Sequence, residues 1–383
     1  MNTKKQRKIL QIITKSNWGG AQKYVYELST ELKNNNEDIL VAHGDNGLMA
    51  EKLHAAGIKT IQIKKLNRNI NPFNDFLVLF ELIKIINKEK PAIIHLHSSK
   101  IGTLGVLAGR LCCVPKIIFS IHGLAFNENR NWVAKFIIKK IYWWIIFMSH
   151  TSISVSNGLK SQLLNDNFFG WWFRLLDKKI IVIQNKIKPI DFYTRENSRN
   201  KISEEIKLDL TNKKLVGTIS ELHHIKGLNY LIDAVKDVKA LNQDMFFVCF
   251  GEGEERESLE KQIKDSNLEK NIFLLGFKPD ATKYLSGLDL FVLPSISEGL
   301  ALVLLEARQA GIPIIASKAG GIPEALENYS NSNLISSKDS KALAAALLDF
   351  SDNQNNSNTK HNLIKKNNNS YSEMYSSVVE IYA

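Results

Sequence analysis

Short apolar runs of strand length, rich in Ile, Val and Phe, alternate along this chain with longer segments of helical period, and the alternation stops once and restarts. A strand buried on both faces reads as an unbroken apolar run, and a parallel neighbour can be reached only through a crossover long enough to hold a helix. The pattern therefore specifies α/β units built into parallel sheets. In the first series, strands are expected at Ile9 to Ile13, Ile39 to Ala42, Thr60 to Ile63, Ala92 to Leu96, Lys116 to Ile121, Ser152 to Val155 and Ile180 to Ile183. Helical patterns such as Gln22 to Leu32, Phe76 to Asn87 and Gly102 to Leu111 lie between them. The second series places strands at Leu215 to Ile219, Phe246 to Phe250, Ile272 to Leu275, Leu290 to Leu293 and Pro313 to Ala316.

Two doubly wound domains are expected, since 383 residues exceed the roughly 250–300 that one core supports. The polar stretch Lys186 to Lys213, with Pro189 and no apolar period until Ile206, reads as a linker. The domains are accordingly 1–190 and 191–370, followed by a closing helix over 371–383 with apolar positions at Met374, Val378, Val379 and Ile381. Asp352 to Asn369, dominated by Asn, Ser and Lys, buries too little apolar surface to offset its ordering entropy and reads as a mobile surface loop.

A formal charge of +11 calls for a polyanionic partner: nucleic acid, anionic lipid or a phosphorylated small molecule. The basic residues are scattered, and no zinc-ligand set, basic zipper or RNA-binding aromatic signature accompanies them, so nucleic acid is set aside. The three cysteines include the neighbours Cys112 and Cys113, which argues against a disulfide framework. Ile9 to Ile13 is too short for the core of a signal peptide, and a cytoplasmic location is expected. No run reaches the roughly 18 uncharged apolar residues of a spanning helix. The nearest, Trp132 to Met148, carries Trp143 and Trp144 but is interrupted by Lys135, Lys139 and Lys140. Phe168, Phe169, Trp171, Trp172 and Phe173 follow, flanked by Arg174, Lys178 and Lys179. Rings mixed with cations suit peripheral contact with an anionic membrane surface on the inner face, and suit equally a half-buried helix with a loop packed on it.

The chemistry-bearing motifs fall just after strands, where open α/β sheets bind ligands. Asn17-Trp18-Gly19-Gly20-Ala21 opens the first helix, a place where backbone N–H groups can meet an anion or simply make a tight turn. It lacks the third glycine of a dinucleotide fingerprint, as does Gly251-Glu252-Gly253, where Arg256 fills that position; this removes the main support for a nicotinamide enzyme. His97 and His122 each close a strand and can hydrogen-bond a sugar or phosphate oxygen, act in proton transfer near neutral pH, or serve only a structural role. His95 and His97 have no carboxylate or cysteine near them in sequence, and no metal site is expected. Lys226 stands before an amphipathic helix, where a cation opposes the helix dipole but can hold a diphosphate. The strongest element is Ser295-Ile296-Ser297-Glu298-Gly299-Leu300 continuing to Glu306. Were both helical, the two glutamates would lie about 12 Å apart along the axis, too far for the carboxylate pair of a retaining hydrolase at about 5–5.5 Å. They suit one ligand touched at two places, with the N–H groups of Gly299 and Leu300 near phosphate.

The Glu298 to Glu306 segment, followed by Gly311-Ile312-Pro313 and Gly320-Gly321-Ile322-Pro323-Glu324, resembles the retaining GT-B glycosyltransferases of family 4, group 1 type. The likeness runs from Gly19-Gly20 through His122-Gly123, Lys226-Gly227 and Gly251-Glu252-Gly253 to Glu306. It implies two Rossmann-like doubly wound domains facing across a cleft, the acceptor held by the first and a nucleoside-diphosphate sugar by the second. By the same resemblance Glu298 lies near the donor sugar, Glu306 on the ribose, Lys226 on the diphosphate and His122 near the reacting sugar. Gly299, Leu300, Gly251, Gly253, Gly276 and Phe277 would complete the donor site, and Gly19, Gly20 and His97 an acceptor or phosphate loop. The expected reaction moves a hexose or N-acetylhexosamine, with retention and without metal or other cofactor, to a lipid-linked or cell-surface polysaccharide precursor. The general frequency of donors favours UDP over GDP. One departure stands out: Glu221 occupies the place where many members have an arginine. Charge stabilisation would then fall to Lys226, backbone N–H groups and His223, His224 or Arg308. A non-catalytic nucleotide-sugar-binding protein and a sugar-nucleotide epimerase are the alternatives.

Overall fold

The structure is a computed structural model that describes residues 7–128, 130–165, 170–239, 244–356 and 369–383. The chain divides into two compact units, Met1–Asn185 with Tyr371–Ala383, and Lys186–Ser370.

The first unit begins with β1 (Lys8–Ile13), α1 (Gly20–Asn34), β2 (Asp38–His43), α2 (Leu48–Ala55) and β3 (Lys59–Gln62). It continues through α3 (Pro72–Glu89), β4 (Ile93–Leu96), α4 (Ser99–Leu111), β5 (Lys116–Ile121), α5 (Trp132–Met148) and β6 (Thr151–Ser154). The short α6 (Asn157–Leu164) and α7 (Gly170–Arg174) precede β7 (Ile180–Val182). The seven strands pair in parallel in the order β3-β2-β1-β4-β5-β6-β7. Because parallel crossovers are right-handed, the reversal of direction after β3 puts α1 and α2 on one face and α3, α4 and α5 on the other. Ile9, Ile13, Val25, Leu28 and Met49 form the core on the first face.

The second unit runs α8 (Arg195–Ile206), β8 (Lys214–Ile219), α9 (Leu228–Lys239), β9 (Met245–Phe250), α10 (Arg256–Asp265) and β10 (Ile272–Leu274). It then runs β11 (Leu290–Leu293), α11 (Leu302–Gln309), β12 (Ile314–Ser317), α12 (Ile322–Ala325), β13 (Ser332–Ile335) and α13 (Ser340–Asn356). Its parallel sheet has the order β10-β9-β8-β11-β12-β13. Leu231, Val235, Phe247, Val292 and Leu347 meet in one buried cluster. The last helix, α14 (Asn369–Tyr382), belongs to the first unit, where Tyr371, Met374, Val378 and Tyr382 join the core under α1.

Three expectations are corrected. The linker Lys186 to Lys213 contains α8, capped by Thr194, whose side chain accepts from the Asn197 N–H at 3.2 Å. This helix is held by charge: Arg195 and Arg199, four residues apart and so on one face, both pair with the buried Asp289 carboxylate. The second sheet has a further strand, β13, beside β12. Asp352–Asn356, expected in a loop, is the end of α13, and Asn369 begins α14; residues 357–368 of that expected loop lie outside the described residues, as do Phe168 and Phe169.

Candidate functional site

An open parallel sheet has a crevice at its carboxyl edge wherever the chain reverses its order of strand addition, because the two loops there leave in opposite directions. In the second sheet that point lies between β8 and β11. The loop after β8 ends in a 3-10 turn, His224–Lys226, closed by Gly227 in the left-handed region at φ 64°. A Cβ on Gly227 would overlap the Pro294 carbonyl oxygen, and the Ile296 N–H donates to the Ile225 carbonyl at 2.7 Å, so the two loops are in contact. Across them, the Lys226 ammonium donates to Oε1 of Glu298 at 2.7 Å, and the Ser295 hydroxyl donates to the same oxygen at 2.8 Å. Oε2 of Glu298 and the other ammonium hydrogens have no partner among the described residues, and the pair is partly exposed, so both groups remain able to meet a ligand.

The glutamate is positioned by its backbone as well. Gly320, at φ 54°, lies so near the Glu298 carbonyl that a Cβ there would overlap it, and the Gly321 N–H donates to the Gly299 carbonyl at 3.0 Å. Helix α11 starts at Leu302 with Ala301 as its cap, so Glu298, Gly299 and the buried Leu300 belong to the loop before it. Glu306 lies within α11 and is 4% exposed. Gly251, Gly253, Gly276 and Phe277 line the loops after β9 and β10. The Gly251 N–H donates to the Gly276 carbonyl at 2.8 Å, Arg256 N–H to the Gly253 carbonyl at 3.2 Å, and Phe277 is 46% exposed.

The supplementary cations divide. Arg308 donates to the Ala325 carbonyl and lies over the Tyr329 ring, so it is committed to packing α11 on α12. His223 accepts the Ile225 N–H at Nδ1 (3.3 Å) and places Nε2 3.1 Å from Glu254, which fixes its proton on Nε2 when the ring is neutral. Glu221 and His224 are exposed.

In the first sheet the order reverses between β1 and β4. Gly19 caps α1 without a side-chain bond, Gly20 is its first residue, and the Thr14 and Ser98 hydroxyls join the two loops at 2.6 Å. His97 follows β4 and His122 follows β5, and their rings are linked, Nδ1 of His97 to Nε2 of His122, at 3.2 Å. Behind them the buried His95 bonds the Tyr382 hydroxyl and the Ser120 hydroxyl, each at 2.7 Å. Burial, reinforced by the His122 charge, pushes His95 down to about 3. Burial alone takes His122 to about 4. His97 falls well below the usual range through burial and its two imidazole neighbours. All three rings are neutral at pH 7. Tyr24 sets its ring edge against His122 at 5.0 Å. Ser295, Tyr24 and Tyr382 had no assigned role in the sequence. Ser295 carried a signal, a hydroxyl three residues before the glutamate, whereas Tyr382 is 287 positions from His95 and carried none.

Among the described residues no cluster of His, Cys, Asp and Glu has the form of a metal site. None of the described helices is long and apolar enough to cross a membrane.

Residues 18–187 match the model of Glycosyltransferase Family 4, and residues 199–370 that of Glycosyl transferases group 1. Over 340 residues the chain is 30% identical to the UDP-Gal:alpha-D-GlcNAc-diphosphoundecaprenol alpha-1,3-galactosyltransferase of Escherichia coli, covering 87% of this chain and 85% of that one. It is 24% identical over 302 residues, 77% of each chain, to the N,N'-diacetylbacillosaminyl-diphospho-undecaprenol alpha-1,3-N-acetylgalactosaminyltransferase of Campylobacter jejuni. In fold it is similar to the crystal structure of HepE from Anabaena in complex with UDP and glucose, with a TM-score of 0.76 at 19% identity, covering 98% of this chain and 97% of that one. The sucrose-phosphate synthase of Thermosynechococcus elongatus gives 0.78 at 16% identity over 98% of both chains.

Proposed function

The chain belongs to the group 1, family 4 glycosyltransferases, nucleotide-sugar-dependent enzymes of GT-B fold, and from that premise we propose that it moves a hexose or N-acetylhexosamine, with retention of configuration, onto a diphospholipid-linked polysaccharide precursor. The observation that carries this reading is the Lys226–Glu298 ion pair closing the switch point of the second sheet. Transfer breaks the bond between the anomeric carbon and the diphosphate, so negative charge grows on the leaving oxygen. An ammonium held in place beforehand stabilises that charge without reorganising. Lys226 is so held, because Glu298 fixes it, and the free oxygen of Glu298 is left to accept hydrogen bonds from sugar hydroxyls. Glu306 is assigned to the ribose and the loops of Gly251, Gly253, Gly276 and Phe277 to the nucleoside and phosphates. His122 is assigned to the reacting sugar. The nucleotide sugar is a substrate, with UDP preferred to GDP, and Lys226 supplies the charge that a metal would otherwise bring.

The lipid acceptor is supported by the two undecaprenol-linked relatives. Contact with an anionic membrane surface is supported by the outer layer of the first unit. Of the strongly exposed large apolar side chains among the described residues, only Phe277 lies in the second unit. Phe73, Phe76 and Phe80 point outward from α3, and Trp132, Val133 and Ile137 from α5, in the same helical layer. The only charged residues of α5 are Lys135, Lys139 and Lys140, the combination that anionic head groups attract. The test of the reaction is purified enzyme with a panel of UDP-sugars and an undecaprenyl-diphosphate-linked sugar. Release of UDP and an α-linked product are expected; no nucleotide release with any donor would defeat the reading. The membrane contact is tested by co-sedimentation, with binding expected to phosphatidylglycerol vesicles at low salt and equal binding to zwitterionic vesicles counting against it.

A further inference from the structure

The histidines at the carboxyl edge of the first sheet hold a choice that the reaction depends on. His97 is 2% exposed, and its Nε2 has no hydrogen-bond partner among the described residues. Its Nδ1 is 3.2 Å from Nε2 of His122, while Nδ1 of His122 has no partner among the described residues and the residue is only partly buried. His95, with its ring 4.1 Å from that of His97, already has both nitrogens occupied by Tyr382 and Ser120. Two neutral arrangements satisfy the bond between His97 and His122. If His122 donates from Nε2, His97 must accept at Nδ1 and carry its own proton on the buried Nε2, an N–H with nothing to donate to. If His97 donates from Nδ1, the buried Nε2 is a bare lone pair. Orphaned buried N–H groups are rarer than under-satisfied acceptors, and stranding a donor costs its full desolvation, so the second arrangement is favoured.

We infer that His97 is a positioning residue that donates from Nδ1 to Nε2 of His122 and thereby holds His122 as its Nδ1–H tautomer, which presents a hydrogen-bond donor to a ligand oxygen. The position of a proton on one imidazole nitrogen is set by the bond that the other makes. His122 in this state donates to a sugar hydroxyl or phosphate oxygen and has no free lone pair with which to take a proton. The inference rests on the reading that places His122 at the reacting sugar, but its own content is the tautomer.

The test uses the whole enzyme labelled with 15N-histidine at pH 7.5, with the His122 signals assigned by their loss in His122→Gln. Long-range proton–nitrogen correlations should show His122 protonated at Nδ1 in the wild type and in His97→Asn, whose side-chain amide keeps a donor at the same reach. His97→Phe, which keeps the ring and removes the donor, should convert His122 to the Nε2–H form. The same variant should lower kcat about tenfold or more, on the scale of losing one preorganised donor, with KM for the donor within about twofold, and His97→Asn should recover most of the rate. A wild-type His122 protonated at Nε2 overturns the inference, and that spectrum decides whether or not the Phe variant folds. An unchanged tautomer in a folded His97→Phe also overturns it. Full activity in His122→Ala would instead remove His122 from the reaction and leave the tautomer result standing.

Discussion

Acidification should unfold the first unit in a range where most proteins are still at ease, because three neutral imidazoles lie side by side in it, His95 and His97 buried and His122 partly so. His95, His97 and His122 are each held below the ordinary histidine value of 6.5, His95 to about 3 and His122 to about 4, chiefly by burial. A lowered folded value means that the unfolded chain binds these protons more readily. Their stabilising contribution is therefore complete above pH 6.5 and is lost as pH falls below it, until the folded values are reached. At pH 5.5 each histidine is about one unit below its unfolded value and still neutral in the folded protein. At 1.36 kcal/mol per unit that is a little over 1 kcal/mol each, and about 4 kcal/mol for the three, against a typical total of 5–15 kcal/mol. The assay is built in: all six tryptophans, Trp18, Trp132, Trp143, Trp144, Trp171 and Trp172, lie in the first unit. Tryptophan fluorescence during urea unfolding at pH 7.5 and 5.5 therefore follows that unit alone. The loss between the two pH values should shrink by about 1 kcal/mol or a little more in His95→Leu, whatever the absolute stability of the variant and whatever His43 and His150, also held low, add to it. A wild-type loss under about 1 kcal/mol would show that the rings are protonated in the folded state and would refute the account of their burial.

Other consequences follow from single contacts. Lys226→Ala should weaken UDP binding by about 10- to 100-fold in calorimetry, the scale of a charge-assisted hydrogen bond, with the Ser295–Glu298 bond retained. Gly320→Ala places a Cβ against the Glu298 carbonyl at a positive φ and should cost about 1–3 kcal/mol in thermal unfolding, whereas Gly123→Ala, which meets nothing within 4 Å, should be close to neutral. Arg199→Met leaves Asp289 with one cation, and removes donors to the Leu210 and Lys213 carbonyls as well. Asp289 keeps Arg195 and the Leu215 N–H, so the cost to the second unit should be about 1–3 kcal/mol, read by far-ultraviolet dichroism during denaturation.

The sheets were legible in the sequence because their strands are buried on both faces and leave unbroken apolar runs; β1, β5, β9 and β11 lie within a residue of their expected ends. The elements without a signal in the sequence are those stabilised by something other than apolar period. Helix α8 has only Ser198 and Ile202 buried and is anchored by arginines reaching Asp289, some 90 positions away. Strand β13, Ser332–Ile335, is a sheet edge without a fully buried residue. In the second unit the motif placed Lys226 and Glu298 in the donor site separately. That they touch depends on the adjacency of β8 and β11, which no local pattern encodes. The histidines at the ends of β4 and β5 were visible, but their mutual bond and the tyrosine behind His95 are products of long-range packing.

The helix that completes the first unit is encoded after the whole of the second. As the chain leaves the ribosome, residues 1–185 must wait, with the groove beside α1 uncovered, until the other unit has been made and Tyr371 to Tyr382 arrive to fill it. Until then His95 lacks the hydroxyl that occupies its Nδ1, so the first unit emerges unfinished, and its histidine cluster is assembled only when translation has passed through both halves of the enzyme.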